Sequence, residues 1–228
     1  KQIFTPHLEE TILFKRSVGE SSDIVGKEMY QFIDKGENDV CLRPEGTAGV
    51  VRAFIEAKLD RAGGVHRCFY HGSMFRYERP QKGRLREFHQ FGVECFGEAS
   101  VYEDASIILM INEIFTRLGI KTTLKINSLG DANSMSAYRA KLLKFLDAHE
   151  GEICEDCRRR KATNPIRVLD CKVEKCQEIY KNAPVITDSL SDEAQADFAK
   201  LQEILTANGV KFEIDTKLVR GLDYYCKT

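Results

Sequence analysis

The sequence predicts an α+β fold, an antiparallel sheet flanked by helices, with a small, mainly helical insertion. Three observations point there. Strand-like segments alternate apolar and polar residues and meet across a tight loop, the mark of antiparallel pairing. Segments with helical periodicity and readable caps lie beside them. Between Ser128 and Asp215 the texture changes to helices separated by a cysteine-bearing, proline-punctuated stretch, and strand-like sequence resumes at Lys211. The expected division is a sheet domain over 1–128 and 216–228, interrupted by an insertion over 129–215.

The elements are justified in chain order. Over 47–61, apolar residues at Val50, Val51, Phe54 and Ala57 recur at helical spacing, and Gly63-Gly64 follows as a stop. A hairpin follows, with strands over 68–79 and 88–96 and a loop built on Pro80-Gln81-Lys82-Gly83. Ser100-Val101-Tyr102-Glu103 has capping-box spacing. The helix it opens, over 101–118, carries Ile107, Ile108, Ile111, Ile114 and Phe115 and ends at Gly119. Leu124 and Ile126 alternate with Lys125 as a short strand. Helices are expected over 135–149 and 191–207, the second capped by Ser191 and stopped by Asn208-Gly209. Val210, Phe212 and Ile214, alternating with Lys211 and Glu213, make a last strand.

Composition narrows the function. The 228 residues suffice for one large domain or two small ones. Lys and Arg total 34 against 35 Asp and Glu, so a wholly basic nucleic-acid binder is not indicated. No apolar run reaches the roughly 18 residues of a membrane span. No charged-then-apolar leader opens the chain, so nothing points to secretion. The eight cysteines then favour reduced thiols or metal ligation over a disulfide framework. The chain opens without Met and stops at Tyr-Tyr-Cys-Lys-Thr, which reads as a fragment of something longer.

The hairpin concentrates charge: Arg76, Arg79, Lys82, Arg84 and Arg86 stand among Glu78, Glu87 and Glu94. On a strand, residues two apart share a face, so Gln90, Gly92 and Glu94 point one way and Phe91, Val93 and Cys95 the other. The apolar row is expected to pack against helices. Gly92 is expected to leave room for something flat against the backbone. Arg76 and Glu78 are expected to share a face of the first strand. A floor of Arg, Glu, Gln and Glu is costly to bury unless a ligand pairs those groups. The plain alternative is a polar outer face whose cross-strand ion pairs are worth about 0.2–1 kcal/mol each.

Phe75-Arg76-Tyr77-Glu78, the loop, and Arg84-Leu85-Arg86-Glu87-Phe88 resemble motif 2 of class II aminoacyl-tRNA synthetases. Arg43-Pro44-Glu45-Gly46-Thr47, the run from Arg84 to Glu94 and Arg220-Gly221-Leu222-Asp223-Tyr224-Tyr225 resemble the histidyl-tRNA synthetase family in particular. Thr5-Pro6 resembles the end of motif 1. The resemblance implies a class II synthetase-type antiparallel sheet, an ATP-dependent ligase that binds ATP with Mg2+, L-histidine and tRNA(His), and a cytoplasmic homodimer. It implies that Arg76 and Arg220 clamp the α-phosphate, with Arg76 also on the histidine carboxylate. Glu78 would accept from the adenine amino group, Arg84 would meet the γ-phosphate and Phe88 would stack on adenine. Glu45, Gly46, Thr47 and Gln90 would line the α-ammonium site, and Glu94, Tyr224 and Tyr225 the imidazole. Motif 3, the anticodon-binding domain and the motif 1 helix are missing from this span. The competing reading is a synthetase-like regulatory or tRNA-sensing module without charging activity.

Two features lie outside that resemblance. Cys154-x2-Cys157 and Cys171-x4-Cys176 approach the spacing of a structural zinc site, the alternative being four reduced cysteines. Arg158-Arg159-Arg160-Lys161 is either a solvated face or, since the family's insertion lies near the tRNA acceptor arm, a phosphate contact. His7, His66, His71, His89 and His149 show no ligand spacing.

Overall fold

The computed structural model describes residues 1–19, 22, 24–219 and 225–228. Its internal contacts divide it into two units, one of them Lys1–Ala99, the other beginning at Ser100 and including Tyr225–Thr228. Among the described residues, no helix is long and apolar enough to cross a membrane.

Unit 1 contains β1 (Leu8–Glu10), α1 (Thr11–Val18), β2 (Tyr30–Ile33), β3 (Asp39–Leu42), α2 (Thr47–Glu56), α3 (Leu59–Ala62), β4 (His66–Phe75) and β5 (Glu87–Phe96). β3 pairs antiparallel with both β1 and β2. Helix α1 buries Thr11, Phe14 and Val18, one stripe at helical spacing, and Phe14 and Val18 pack with Cys41 of β3 and Ala48 of α2. Full burial of a side chain such as Phe14 contributes about 1.5–3 kcal/mol.

The helix expected over 47–61 is two helices. Ala57 N–H still reaches Ala53 O, but Lys58 N–H tightens to Ile55 O and Lys58 itself turns left-handed at φ 55°. Such an i−3 bond closes a helix end, and α3 restarts one residue later. The β4–β5 hairpin is antiparallel, with Gly72 opposite Gln90, Tyr70 opposite Gly92 and Cys68 opposite Glu94. Its first strand stops at Phe75, so Arg76 and Glu78 lie beyond it and not on a strand face as expected. The loop turns tightly where Gln81 and Arg84 exchange backbone hydrogen bonds, with Gly83 at φ 80°. The expectation for the apolar row also needs correction. Phe91 is 52% exposed and stacks at a tilt on Phe69 across the strands.

Unit 2 contains α4 (Val101–Arg117), β6 (Leu124–Ile126), α5 (Ala132–Ala148), α6 (Glu155–Thr163), α7 (Glu174–Tyr180), α8 (Asp192–Ala207) and β7 (Phe212–Ile214). β6 and β7 pair in parallel, unlike the antiparallel sheet expected. The helices between them form the long crossover that parallel pairing requires. Ala105, Ile126, Phe198, Leu201, Leu205 and Val210 form one core, which joins α4 and β6 to α8. The change in contacts between the two units falls at residue 100.

Caps explain where these helices begin. Ser100 Oγ accepts from Tyr102 N–H, and Ser191 Oγ accepts from Ala194 N–H. Asp131 caps α5 by accepting from Ser134 N–H at 2.7 Å, and its other oxygen accepts from Ser191 Oγ at 2.6 Å. One carboxylate thereby ties together the starts of α5 and α8. These hydrogen bonds, that of the Ser134 amide foremost, hold Asp131 down at about 2.

Candidate functional site

The site grows from the N-terminus of α2 and the covered face of the hairpin. Glu45 stands just before α2, where its carboxylate accepts from Thr47 N–H at 2.7 Å and Ala48 N–H at 2.9 Å. Those amides are unpaired helix-start donors, and the dipole favours an anion there. Thr47 Oγ1 donates to Glu94 Oε1 at 2.7 Å, which links α2 to β5. Burial pushes both carboxyls above the usual range. For Glu45 the two amides, the Thr47 hydroxyl and the Arg76 guanidinium offset this; for Glu94 the Thr47 hydroxyl offsets it while Glu45 adds to it. Two half-repelling carboxylates in a covered place suit a cation.

Gly92 works differently from the expectation. A Cβ there would lie 2.2 Å from Tyr70 Cζ, and one on Gly46 would lie 2.3 Å from Tyr70 Cε2. The space the glycines leave is filled by the Tyr70 ring, which is 5% exposed and whose phenol burial pushes up to about 12. Gly72 makes similar room for Arg43, whose Nη2 would sit 2.5 Å from an added Cβ. Arg43 is buried and donates to Ser73 O, Thr5 O and Thr5 Oγ1, so it joins the Thr5-Pro6 segment to β4. Alternation in the sequence places Tyr70 and Gly72 on one face, but it does not reveal which ring fills the gap across the strands.

The loop end carries the remaining groups. Arg76 Nε donates to Pro44 O at 2.9 Å, and its guanidinium lies 5.2 Å from the Phe88 ring centroid. Arg84 Nη1 and Glu78 Oε2 are 3.3 Å apart, without the alignment of a hydrogen bond. Both Glu78 Oε2 and Gln90 Oε1 are buried acceptors with no hydrogen-bond donor. Such groups are uncommon and costly in a folded protein.

Glu45, Gly46, Thr47, Arg76, Glu78, Arg84, Phe88, Gln90 and Glu94 thus all belong to unit 1. Tyr225 lies in unit 2 and is 41% exposed. Arg220 and Tyr224 fall outside the described residues. A groove of about 800 Å³ beside α1 and α2, lined by Pro6, Glu9, Ile12, Arg52 and Ile55 among others, holds none of the candidate residues.

In unit 2, the sulfurs of Cys154, Cys157, Cys171 and Cys176 all lie within 4.8 Å of one another. Burial pushes the Cys157 and Cys176 thiols up. The neighbouring basic run is largely spoken for. Arg159 pairs with Asp156 at 2.7 Å, Lys161 with Asp147 and Glu150 at 2.7 and 3.0 Å, and Arg160 donates to Arg167 O.

Comparisons with known proteins agree with the motifs. The histidyl-tRNA synthetase family model matches residues 1–226. A histidine–tRNA ligase of Campylobacter concisus is 86% identical over 228 residues, which is all of this chain and 56% of that protein. One from Sulfurimonas denitrificans is 70% identical over 226 residues, covering 99% of this chain and 56% of that protein. Among solved structures, apo histidyl-tRNA synthetase of S. aureus superposes with a TM-score of 0.76 at 38% identity, over 99% of this chain and 51% of that one. The chain therefore spans just over half the length of the curated relatives it matches. Its α+β fold is that of the class II synthetase core. With the family model, these relatives and that structure in agreement along nearly every residue, the chain belongs to the histidyl-tRNA synthetase family.

Proposed function

We propose that the full-length protein activates L-histidine with ATP to histidyl-adenylate and transfers the histidyl group to the 3′ end of tRNA(His). It is then an ATP-dependent ligase, working as a cytoplasmic homodimer. Its catalytic core covers 1–128 and 216–228, and 129–215 form the insertion. The observation that supports this reading most is the pair of buried acceptors without donors, Gln90 Oε1 and Glu78 Oε2. Both stand where the family pattern expects a ligand amine.

The chemistry follows from charge. A carboxylate oxygen of histidine attacks the α-phosphorus, the bond to the bridging oxygen breaks, and pyrophosphate leaves with the electron pair. The attacking carboxylate is already ionised at neutral pH, so this step requires no general base. Catalysis is positioning plus stabilisation of negative charge on the phosphate oxygens. Arg76 supplies that positive charge together with Arg220. Mg2+ bound together with the nucleotide would neutralise part of the phosphate charge alongside these arginines. The Arg84–Glu78 pair is half open, with Arg84 60% exposed, and exposed pairs are weak. The nucleotide can therefore separate them, taking Arg84 on the γ-phosphate and Glu78 on the adenine amino group. Phe88 stacks on the adenine as the Arg76 guanidinium shifts from the ring to the phosphates.

Histidine's α-ammonium is held at Glu45, Gly46, Thr47 and Gln90, where a cation would offset the burial that raises the Glu45 carboxyl. Glu94, Tyr224 and Tyr225 read the imidazole, and an analogue lacking a ring nitrogen would leave buried groups unpaired. A ribose hydroxyl of the tRNA then attacks the acyl carbon and AMP leaves. The four thiols of unit 2 take no part in this chemistry and hold a structural zinc ion.

Histidine-dependent exchange of pyrophosphate into ATP by the full-length protein tests the reading. Robust exchange is expected. A folded protein that binds histidine yet shows no exchange would overturn it in favour of a regulatory module.

A further inference from the structure

The structure shows an imbalance in unit 2. Cys157 is the one buried residue of α6, and Cys176 and Tyr180 are the two of α7. Helices of nine and seven residues are far below the length at which helices persist alone in water, and packing of an apolar face normally holds them. Here α6 has no apolar face, and α7 offers only Ile179 and Tyr180 beside its sulfur. The sequence Glu-Asp-Cys-Arg-Arg-Arg-Lys-Ala-Thr of α6 presents the core with a single sulfur.

Those sulfurs meet. Cys154 immediately precedes α6, Cys157 lies in its first turn, Cys171 follows the 3₁₀ turn Pro165–Asp170, and Cys176 lies in the first turn of α7. Four thiolates around zinc at about 2.3 Å form a tetrahedron with edges of about 3.8 Å. Cys154 Sγ and Cys171 Sγ stand 3.8 Å apart, and the remaining separations stay within 4.8 Å. The surroundings suit thiolates. Cys154 N–H donates to Cys176 Sγ at 3.2 Å and Val173 N–H to Cys171 Sγ at 3.4 Å. Tyr180, 2% exposed, has a hydroxyl with no well-aligned acceptor, and the polar groups acting on it are Cys157, Cys176 and Cys171. Neutral thiols are poor acceptors; metal-bound thiolates are good ones, and donors of this kind orient and tune such ligands. All four positions are filled by protein and three of the thiols are buried, so the site is closed to substrate.

We infer that Cys154, Cys157, Cys171 and Cys176 bind one zinc ion as a closed tetrathiolate, and that this ion is the tie fastening α6 and α7 to the core of unit 2. The inference deepens the zinc assignment above and is independent of the catalytic reading. Metal binding and ordering of the 150–180 segment are then one process.

The test uses the full-length protein purified under reducing conditions without chelator. Metal analysis should find about one zinc per chain. Replacement by Co2+ should give the charge-transfer and d–d bands of tetrahedral thiolate coordination. Hydrogen exchange should show α6 and α7 losing at least about tenfold in protection when the metal is stripped, while α4 and α8 keep theirs. Less than about 0.1 zinc per chain with no cobalt spectrum, or a mass decrease showing disulfides in place of thiols, overturns the site. Zinc retained after Cys157→Ser with Cys176→Ser does so as well. Stoichiometric zinc whose removal leaves α6 and α7 fully protected overturns the tie alone. None of these readouts measures activity, so loss of exchange activity would bear only on the catalytic reading.

Discussion

The two units bury different chemistry. Unit 1 encloses charge: Glu9, Arg43 and Glu45 are each less than a tenth exposed. The described buried polar residues of unit 2 are Asn127, Ser128 and Ser134, all neutral, set among large apolar side chains and sulfur. Burying charge costs stability unless each group is paired. In unit 1 the pairing is only partly internal. Arg43 is satisfied by Thr5 and Ser73, whereas Gln90 Oε1 and Glu78 Oε2 still lack a donor. In unit 2 the caps close on themselves, Asp131 to Ser134 and Ser191. Unit 2 also leaves buried polar atoms without a partner, Asn127 Oδ1 and the Tyr138 and Tyr180 hydroxyls, but it sets them among neutral and apolar groups, whereas the open acceptors of unit 1 belong to the unit that buries charge.

The contrast can be broken by substitution. The largest effect is expected from Arg76→Ala in the full-length protein. Loss of one charge-stabilising group should lower histidine-dependent exchange about 10²–10³-fold, with the unfolding midpoint nearly unchanged. A drop of less than about tenfold would remove Arg76 from the chemistry. Next comes Gly92→Ala, which overpacks the Tyr70 ring and should cost about 1–3 kcal/mol in denaturant unfolding. The same change made on a Tyr70→Ala background should cost almost nothing, and additive costs would show that the ring is not what Gly92 accommodates.

Tyr180→Phe sharpens the comparison from the other side. If the phenol donates to metal-bound thiolate, its removal should destabilise unit 2 by about 1.5–3 kcal/mol, whereas beside neutral thiols the change would be neutral or stabilising. The smallest effect is a pH dependence. Asp131 is depressed to about 2 in the folded chain, so the unfolded chain binds the extra proton more readily. Its contribution is therefore complete above the ordinary aspartate value near 4 and fades as pH falls toward 2. Stability curves of wild type and Asp131→Asn should converge across that window, and parallel curves would contradict the assignment.

Much of this was legible in the sequence because it is local. Ser100, Ser191 and Gly209 announce helix ends through single hydrogen bonds or one permissive backbone angle, and the hairpin follows from alternation around a turn. What sequence could not supply depends on partners distant along the chain. The filling of Gly92 by Tyr70 needs the cross-strand register, and the parallel pairing of β6 with β7 needs the crossover through the insertion. The break at Lys58 lies inside a sequence whose periodicity continues through it. Cysteine spacing suggested a zinc site, but that α6 and α7 bury little besides its sulfurs and Tyr180 emerged only from the structure.

The central claim is that the open acceptors of unit 1 are completed by substrate. A crystal structure of the full-length protein with histidine and a non-hydrolysable ATP analogue tests it most directly. The account predicts the histidine ammonium within about 3.2 Å of Gln90 Oε1 and the adenine amino group equally close to Glu78 Oε2. Both ligands bound with those two oxygens still unpaired, or turned toward the protein's own donors, would contradict it.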